Sequence, residues 1–251
     1  MDTYNIWTIG CQMNKADSER LGSALDQMSL SSVDSPEDAD VVVVNSCVVR
    51  KSAEDKVTGM LTRLNGFKKN NPSQVIALMG CMVGPRQENL QKQFPYVDVF
   101  MRPQDYDPLL QLIGLKTGID PDGCVGDLTA TPGVTAFIPI IHGCDKFCSF
   151  CIIPYRRGRE VSRTIDDIVR ETKLLVERGV KEITLLGQNV DSYGHDFDKK
   201  TDLADLLIAL NDVNNLKRIR FLTSHPNDMS DHIIDTVAQL EKVCEHINLP
   251  F

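Results

Sequence analysis

The sequence predicts an α/β protein, with an N-terminal domain on a parallel sheet followed by a partial (β/α) barrel. Two continuous apolar runs, Ala39 to Asn45 and Gln74 to Met79, have the unbroken hydrophobicity of strands buried on both faces of a parallel sheet. Amphipathic stretches alternate with such runs, the pattern of a sheet covered by helices on both sides. From Thr135 onward the alternation restarts in strand–helix units that open on a cysteine-rich loop.

Tyr4 to Ile9 is a short β-type run ending at Gly10-Cys11. Asp17 to Met28 places Leu21, Leu25 and Met28 on one helical face. The strand from Ala39 ends at Ser46-Cys47, and Val49 to Lys69 reads as a longer amphipathic helix. The strand from Gln74 ends at Gly80-Cys81. Pro85 to Gln93 is a short helix with proline near its first turn, Val97 to Met101 a fourth strand and Pro108 to Leu115 a last helix. Leu115 to Pro132 carries three glycines and two prolines without apolar periodicity, as a linker does. The expected domains are therefore 1–117 and 134–251, joined by a linker over 118–133.

In the second domain Thr135 to Ile141 is a strand leading into the Cys144 loop. Thr164 is an N-cap with Asp167 three residues on. Ile165, Ile168, Leu175 and Val176 form the apolar face of that helix, which Gly179 ends. Glu182 to Leu186 is the next strand, followed by Gly187-Gln188-Asn189. Leu203 to Leu210 is a helix, Arg218 to Thr223 a strand ending at Ser224-His225, and Ile233 to Val243 a helix. His246 to Leu249 opens a fourth strand.

The chain has 251 residues, 42% hydrophobic and 25% charged, which suits a globular protein of one large or two ordinary domains. No apolar run is long enough to span a bilayer, and the N-terminus has no signal-peptide core. The expected setting is the cytoplasm, where thiols stay reduced and clustered cysteines mean metal binding or catalysis. The net charge of −8 argues against broad nucleic-acid affinity. Arg156, Arg157, Arg159 and Arg163 are a local exception, crowded against the single Glu160. They read either as a solvated loop or as a contact for a phosphate or carboxylate.

Cys144, Cys148 and Cys151 stand in a C-x3-C-x2-C arrangement. Three thiolates hold three irons of a 4Fe–4S cube and leave the fourth iron open to a small molecule. A zinc site would need a fourth ligand, for which His142 is the neighbour, and a disulfide would leave an odd cysteine. Cys11, Cys47 and Cys81 each follow a predicted strand, at the sheet edge where α/β proteins bind ligands. They read as a second three-thiolate cluster site, against the alternative of three core cysteines. Cys124 is a bystander in the linker and Cys244 a core residue. His225 reads as a hydrogen-bonded structural histidine, with a place in the site as the alternative. His195 and His232 belong on the surface.

With Phe150 before the last cysteine, the Cys144 triplet resembles the signature of radical S-adenosylmethionine (SAM) enzymes. The continuation Pro154-Tyr155-Arg156-Arg157-Gly158-Arg159-Glu160-Val161-Ser162-Arg163 resembles one branch, the methylthiotransferases. The segments Gly10-Cys11-Gln12-Met13-Asn14, Asn45-Ser46-Cys47 and Gly80-Cys81-Met82 are similar to the cluster loops of that branch's N-terminal domain. The resemblance implies SAM and two 4Fe–4S clusters, a SAM-binding one on Cys144, Cys148 and Cys151 and an auxiliary one on Cys11, Cys47 and Cys81. It further implies that one SAM methylates a sulfur, and that a 5′-deoxyadenosyl radical from a second SAM removes hydrogen from an unactivated carbon. The product is a C–S–CH3 group, and no side chain beyond the cluster ligands is nominated as catalytic. Gln188, Asn189 and Arg163 are the candidate SAM contacts, although Gln188 and Asn189 equally suit a cap on a strand–helix turn.

Gly158 to Arg163 together with Leu185-Leu186-Gly187-Gln188-Asn189-Val190 resembles the branch acting on carbon 2 of isopentenylated adenosine next to the anticodon of tRNA. Sister branches act on threonylcarbamoyl-adenosine in tRNA or on an aspartate of a ribosomal protein. A zinc-binding structural module and an electron-transfer iron–sulfur protein are the readings from other classes. The implied partners are tRNA and an electron donor of the flavodoxin type, with no membrane partner, and the expected state is a monomer. By resemblance the polypeptide is C-terminally truncated, since the family's barrel continues and is followed by a small RNA-binding β domain.

Overall fold

The computed structural model describes residues 1–121 and 133–249. The chain divides into two compact units, Met1–Leu128 with Tyr155–Arg157, and Thr129–Pro154 with Gly158–Phe251. Cys124, most of the expected linker and the pair Pro250-Phe251 lie outside the described residues.

In the first unit, β1 (Thr3–Thr8), β2 (Ser31–Ser32), β3 (Val41–Ser46), β4 (Val75–Gly80) and β5 (Val99–Met101) form one sheet in the order β2-β1-β3-β4-β5. Every pairing is parallel, with Tyr4 opposite Val41 and Ser46 opposite Gly80. The unbroken valine run makes β3 a central strand because alternate side chains enter different cores. Val41 and Val43 pack with Leu21 and Leu25 of α1 (Gln12–Gln27), with Met28 just past its end, and with Leu109 and Ile113 of α4 (Asp107–Thr117). Val42 and Val44 pack with Val57, Leu61 and Leu64 of α2 (Lys51–Asn70). Leu61 is completely buried. Leu61→Ala is expected to cost about 2–5 kcal/mol, the usual range for a leucine truncated in a closed core, read as a lower urea midpoint.

The helix α1 starts at Gln12 rather than at Asp17. Cys11 is its N-cap in extended conformation, and the first turns bury Asn14 and Asp17. Those polar residues hide the start from an apolar-spacing reading. The helix α3 (Glu88–Gln93) likewise starts after Pro85 instead of on it.

In the second unit, β6 (Thr135–Pro139), β9 (Glu182–Leu186) and β10 (Arg218–Phe221) form a parallel sheet in the order β10-β9-β6. The helices α6 (Ile165–Glu177) and α7 (Leu203–Asn211) make the crossovers, and α8 (Asp231–Gln239) follows β10. This is the arrangement of an incomplete (β/α) barrel. Thr164 caps α6, its hydroxyl accepting from Asp167 N, and Asp202 with Asp205 makes a capping box on α7. Strands β9 and β6 pair with Ile138 opposite Leu185. Both side chains enter a core with Ile168, Leu207 and Phe221.

Three elements depart from expectation. The strand ending at Ile141 breaks into β6 and β7 (Ile141–His142), the latter pairing antiparallel with β8 (Val161–Ser162). This small clasp joins the two ends of the segment that carries the cysteine loop. Between them Ile153–Arg157 forms the short helix α5. The fourth strand, expected at His246 to Leu249, does not form. A single parallel bridge joins Val243 to Ile219, and Ile247 and Leu249 are 40% and 37% exposed, without the second buried face that holds a central strand. Cys244 is only partly buried, so it is not the core residue expected. No helix is long and apolar enough to cross a membrane among the described residues.

Candidate functional site

In the first unit, Cys11, Cys47 and Cys81 all stand just past the carboxyl ends of β1, β3 and β4. Three successive parallel strands deliver them to the same sheet edge. The carbonyl of Ser46, one residue before Cys47, fastens the three loops. It accepts from Asn14 Nδ2 at 3.0 Å, on the Cys11 side, and from the Cys81 backbone N–H at 3.0 Å. Asn14 also donates to Asn45 Oδ1 at 2.9 Å, while Asn45 Nδ2 donates back to the Asn14 carbonyl at 2.8 Å and to Ser18 Oγ at 2.8 Å. Ser46 Oγ donates to the Met79 carbonyl at 2.6 Å. At Gly80 the backbone takes φ +100°, and a β-carbon there would strike the Ser46 carbonyl. Glycine is what lets the Cys81 loop approach this closely.

Asn14, Asn45 and Ser46 are fully buried, so their hydrogen bonds are made without competing water. Asn45→Ala leaves Asn14 and Ser18 with buried groups to re-pair. The expected cost is about 1–3 kcal/mol, together with reduced iron uptake at this site. Thermal unfolding and iron analysis of the variant check both.

Cys47 and Cys81 are buried and Cys11 is exposed. Burial pushes the Cys81 thiol up, and the neighbouring Cys11 and Cys47 sulfurs push the same way. The Arg157 guanidinium pulls it down. Arg157 Nε donates to Cys81 Sγ at 3.3 Å, and its Nη2 lies 3.3 Å from Asp17 Oδ2. Sequence reasoning placed Arg157 on a solvated or anion-binding loop, whereas it is almost wholly buried with Asp17. No local signal marks this, because its partners lie far back along the chain.

In the second unit, Cys144, Cys148 and Cys151 sit on one loop between β7 and α5. Cys144 N donates to the Gly158 carbonyl at 3.1 Å and Cys151 N to the Cys148 carbonyl at 2.9 Å. Burial raises the Cys144 thiol, opposed by a backbone hydrogen bond from Lys146. Glu160, Cys151 and Cys148 raise it further. Glu160 Oε1 accepts from Asp145 N at 3.1 Å and from Ser192 Oγ at 3.0 Å, tying the loop to the turn after β9. Arg159 grips Asp145 through two bonds of 2.7 and 2.8 Å and holds that carboxyl below its usual range. Phe150 is 91% exposed.

Around the ends of β9 and β10 a polar network forms. Asn189 Nδ2 and Lys146 Nζ both donate to Asp228, each at 2.6 Å. Asp191 accepts from Ser224 Oγ and from His225 N. Gln188 Oε1 and Asn189 Oδ1 are buried without a hydrogen-bond partner among the described residues. Arg163 spends its Nη1 on Glu171 Oε2 at 2.6 Å and on the Pro139 carbonyl at 2.9 Å. His225 Nδ1 accepts from Asn227 N, which fits the structural reading of that histidine. His195 and His232 are exposed, and His232 pairs with Asp202.

Among the described residues no three His, Cys, Asp or Glu side chains converge as a site for one metal ion. A 4Fe–4S cube asks for something wider, because each thiolate meets its own iron. The donor chemistry fits such a cube at both places: three cysteines past the ends of adjacent parallel strands in one, three on a single loop in the other, on loops fastened by backbone hydrogen bonds.

Residues 138–251 match the radical SAM superfamily. Residues 3–102 match a second family, described as uncharacterized protein family UPF0004. Among curated relatives, a tRNA-2-methylthio-N(6)-dimethylallyladenosine synthase of Dehalococcoides mccartyi is 50% identical over 100% of this chain and 57% of its own length. A protein of the same name from Roseiflexus sp. is 46% identical over 98% of this chain and 52% of its own length. The chain thus spans little more than half the length of these relatives. Among solved structures, the radical SAM methyltransferase TsrM of Kitasatospora setae superposes with a TM-score of 0.68 at 14% identity. That match covers 98% of this chain and 58% of TsrM. The cobalamin-dependent SAM radical enzyme OxsB gives a TM-score of 0.58 at 11% identity, over 99% and 44%. At such identities these two report on the fold alone.

Proposed function

We propose that the chain is part of a radical SAM methylthiotransferase that places a methylthio group on carbon 2 of isopentenylated adenosine beside the anticodon of tRNA. The observation that carries this reading is the gathering of three cysteine loops on the Ser46 carbonyl, in a chain that has a separate C-x3-C-x2-C loop. The names of the relatives, at up to 50% identity, support the choice of tRNA.

Cys144, Cys148 and Cys151 would hold the SAM-binding 4Fe–4S cluster, and Cys11, Cys47 and Cys81 the auxiliary one. When bound and reduced, a cluster with an open iron supplies an electron to SAM. The protein's own part is to hold and orient. The orphaned oxygens of Gln188 and Asn189 are buried acceptors, suited to the donors of the SAM ammonium or of the base. Asp228 and Lys146 fix Asn189 and the cysteine loop in one network. Arg163 already has two internal partners, so its contribution is to hold α6 to the end of β6. The pairing of β7 with β8 ties the two ends of the loop together. A flavodoxin-type donor, a cytoplasmic setting and a monomeric state complete the proposal.

The test is mass spectrometry of tRNA nucleosides from cells lacking the gene. Loss of the methylthio group from isopentenylated adenosine is the expected result. An unchanged nucleoside profile, or loss from threonylcarbamoyl-adenosine instead, contradicts the proposed substrate.

A further inference from the structure

Arg157 is buried beside the first cysteine trio and has no role in the reaction outlined above. Its Nε donates to Cys81 Sγ, its Nη2 pairs with Asp17, and its Nη1 is buried without a partner among the described residues. Both members of the pair are within a few percent of full burial. The segment carrying it, Tyr155–Arg157, packs as part of the first unit, and Gly84 leaves room for the neighbouring Arg156 side chain. A buried ion pair is an uneconomical way to stabilise a fold, since apolar residues of the same volume do as well or better. A guanidinium stays charged at any working pH, however, and offers donors in a fixed fork.

We propose that Arg157 is the fixed counter-charge of the Cys11–Cys47–Cys81 site, and that it raises the reduction potential of the iron–sulfur cluster held there. The inference rests on reading those cysteines as cluster ligands. Its physics is simple: a cation and an N–H donor at a ligand sulfur both favour the state with one more electron. Asp17 is the positioning partner that aims the fork at Cys81. Arg157 is a tuning residue and touches no substrate.

The test uses the chain with Cys144, Cys148 and Cys151 all changed to Ala, so that a single site can load. It is reconstituted anaerobically with iron and sulfide, then titrated with dithionite and mediators while electron paramagnetic resonance follows the one-electron reduction. In that background Arg157→Gln is expected to disfavour reduction at least tenfold, a downward shift of about 59 mV or more. Arg157→Lys, which keeps the charge and loses the fork, is expected to lie between the two. Equal potentials for the parent and Arg157→Gln would overturn the inference, as would Arg157→Lys falling below Arg157→Gln. Where Arg157→Gln takes up no iron, Arg157→Lys decides. Full loading with a lowered potential supports the counter-charge, while equal loss of iron shows that packing alone is at stake. If the parent itself takes up no cluster, the reading of the three cysteines fails, and the inference with it.

Discussion

Cys144→Ala is expected to abolish the reductive cleavage of SAM to 5′-deoxyadenosine, whereas Cys11→Ala is expected to leave that cleavage standing and to stop transfer of sulfur. The asymmetry follows from where the two trios lie. Cys144, Cys148 and Cys151 share one loop, so under the proposed function losing one thiolate removes a third of the protein ligands of the SAM-binding cluster. Cys11 belongs to a separate trio, whose loops are fastened through Asn14, Asn45 and Ser46. The measurement is chromatography of 5′-deoxyadenosine after incubation with SAM and dithionite, alongside analysis of the modified nucleoside. Equal loss of cleavage in both variants contradicts the division of labour.

Gly143→Ala is expected to do nearly as much damage as losing a ligand. Gly143 sits at φ +73°, and a β-carbon there would overlap the carbonyls of Arg159 and Gly158. The Gly158 carbonyl is the one that accepts from Cys144 N. Positive φ alone costs about 1–3 kcal/mol for a residue other than glycine. The overlap is with backbone that the β7–β8 clasp holds in place, so it cannot be relieved by turning a side chain. The cysteine loop must therefore shift, and the second cluster is expected to be lost while the first is kept. Iron content and SAM cleavage of the variant check this. Full loading with normal cleavage contradicts it.

The parts of the molecule that the sequence announces are those with a local cause. The valine run of β3 states its own burial, Thr164 and Asp167 state their cap, and Cys144, Cys148 and Cys151 are spaced closely enough to be read as one site. Cys11, Cys47 and Cys81 were legible for a different reason. Parallel strands put their carboxyl ends together, and a cysteine stands just past the end of each of β1, β3 and β4. What stayed hidden depends on contacts between distant segments. Asn14 and Asn45 carry no mark in the sequence of being the buried link between loops that they prove to be. Arg157 looks like one arginine of a basic loop, yet its partners are Asp17 and Cys81. The strand expected at His246 to Leu249 has the right apolar pattern but no cover for its exposed residues, and pattern alone cannot supply the neighbour.

Iron and sulfide analysis of the anaerobically reconstituted chain, made beside the variant lacking Cys11, Cys47 and Cys81, tests most directly whether the six cysteines form two cluster sites. Two 4Fe–4S clusters predict about eight irons in the parent chain and about four in the variant. About four irons in both would contradict the account, because Cys11, Cys47 and Cys81 would then be holding none.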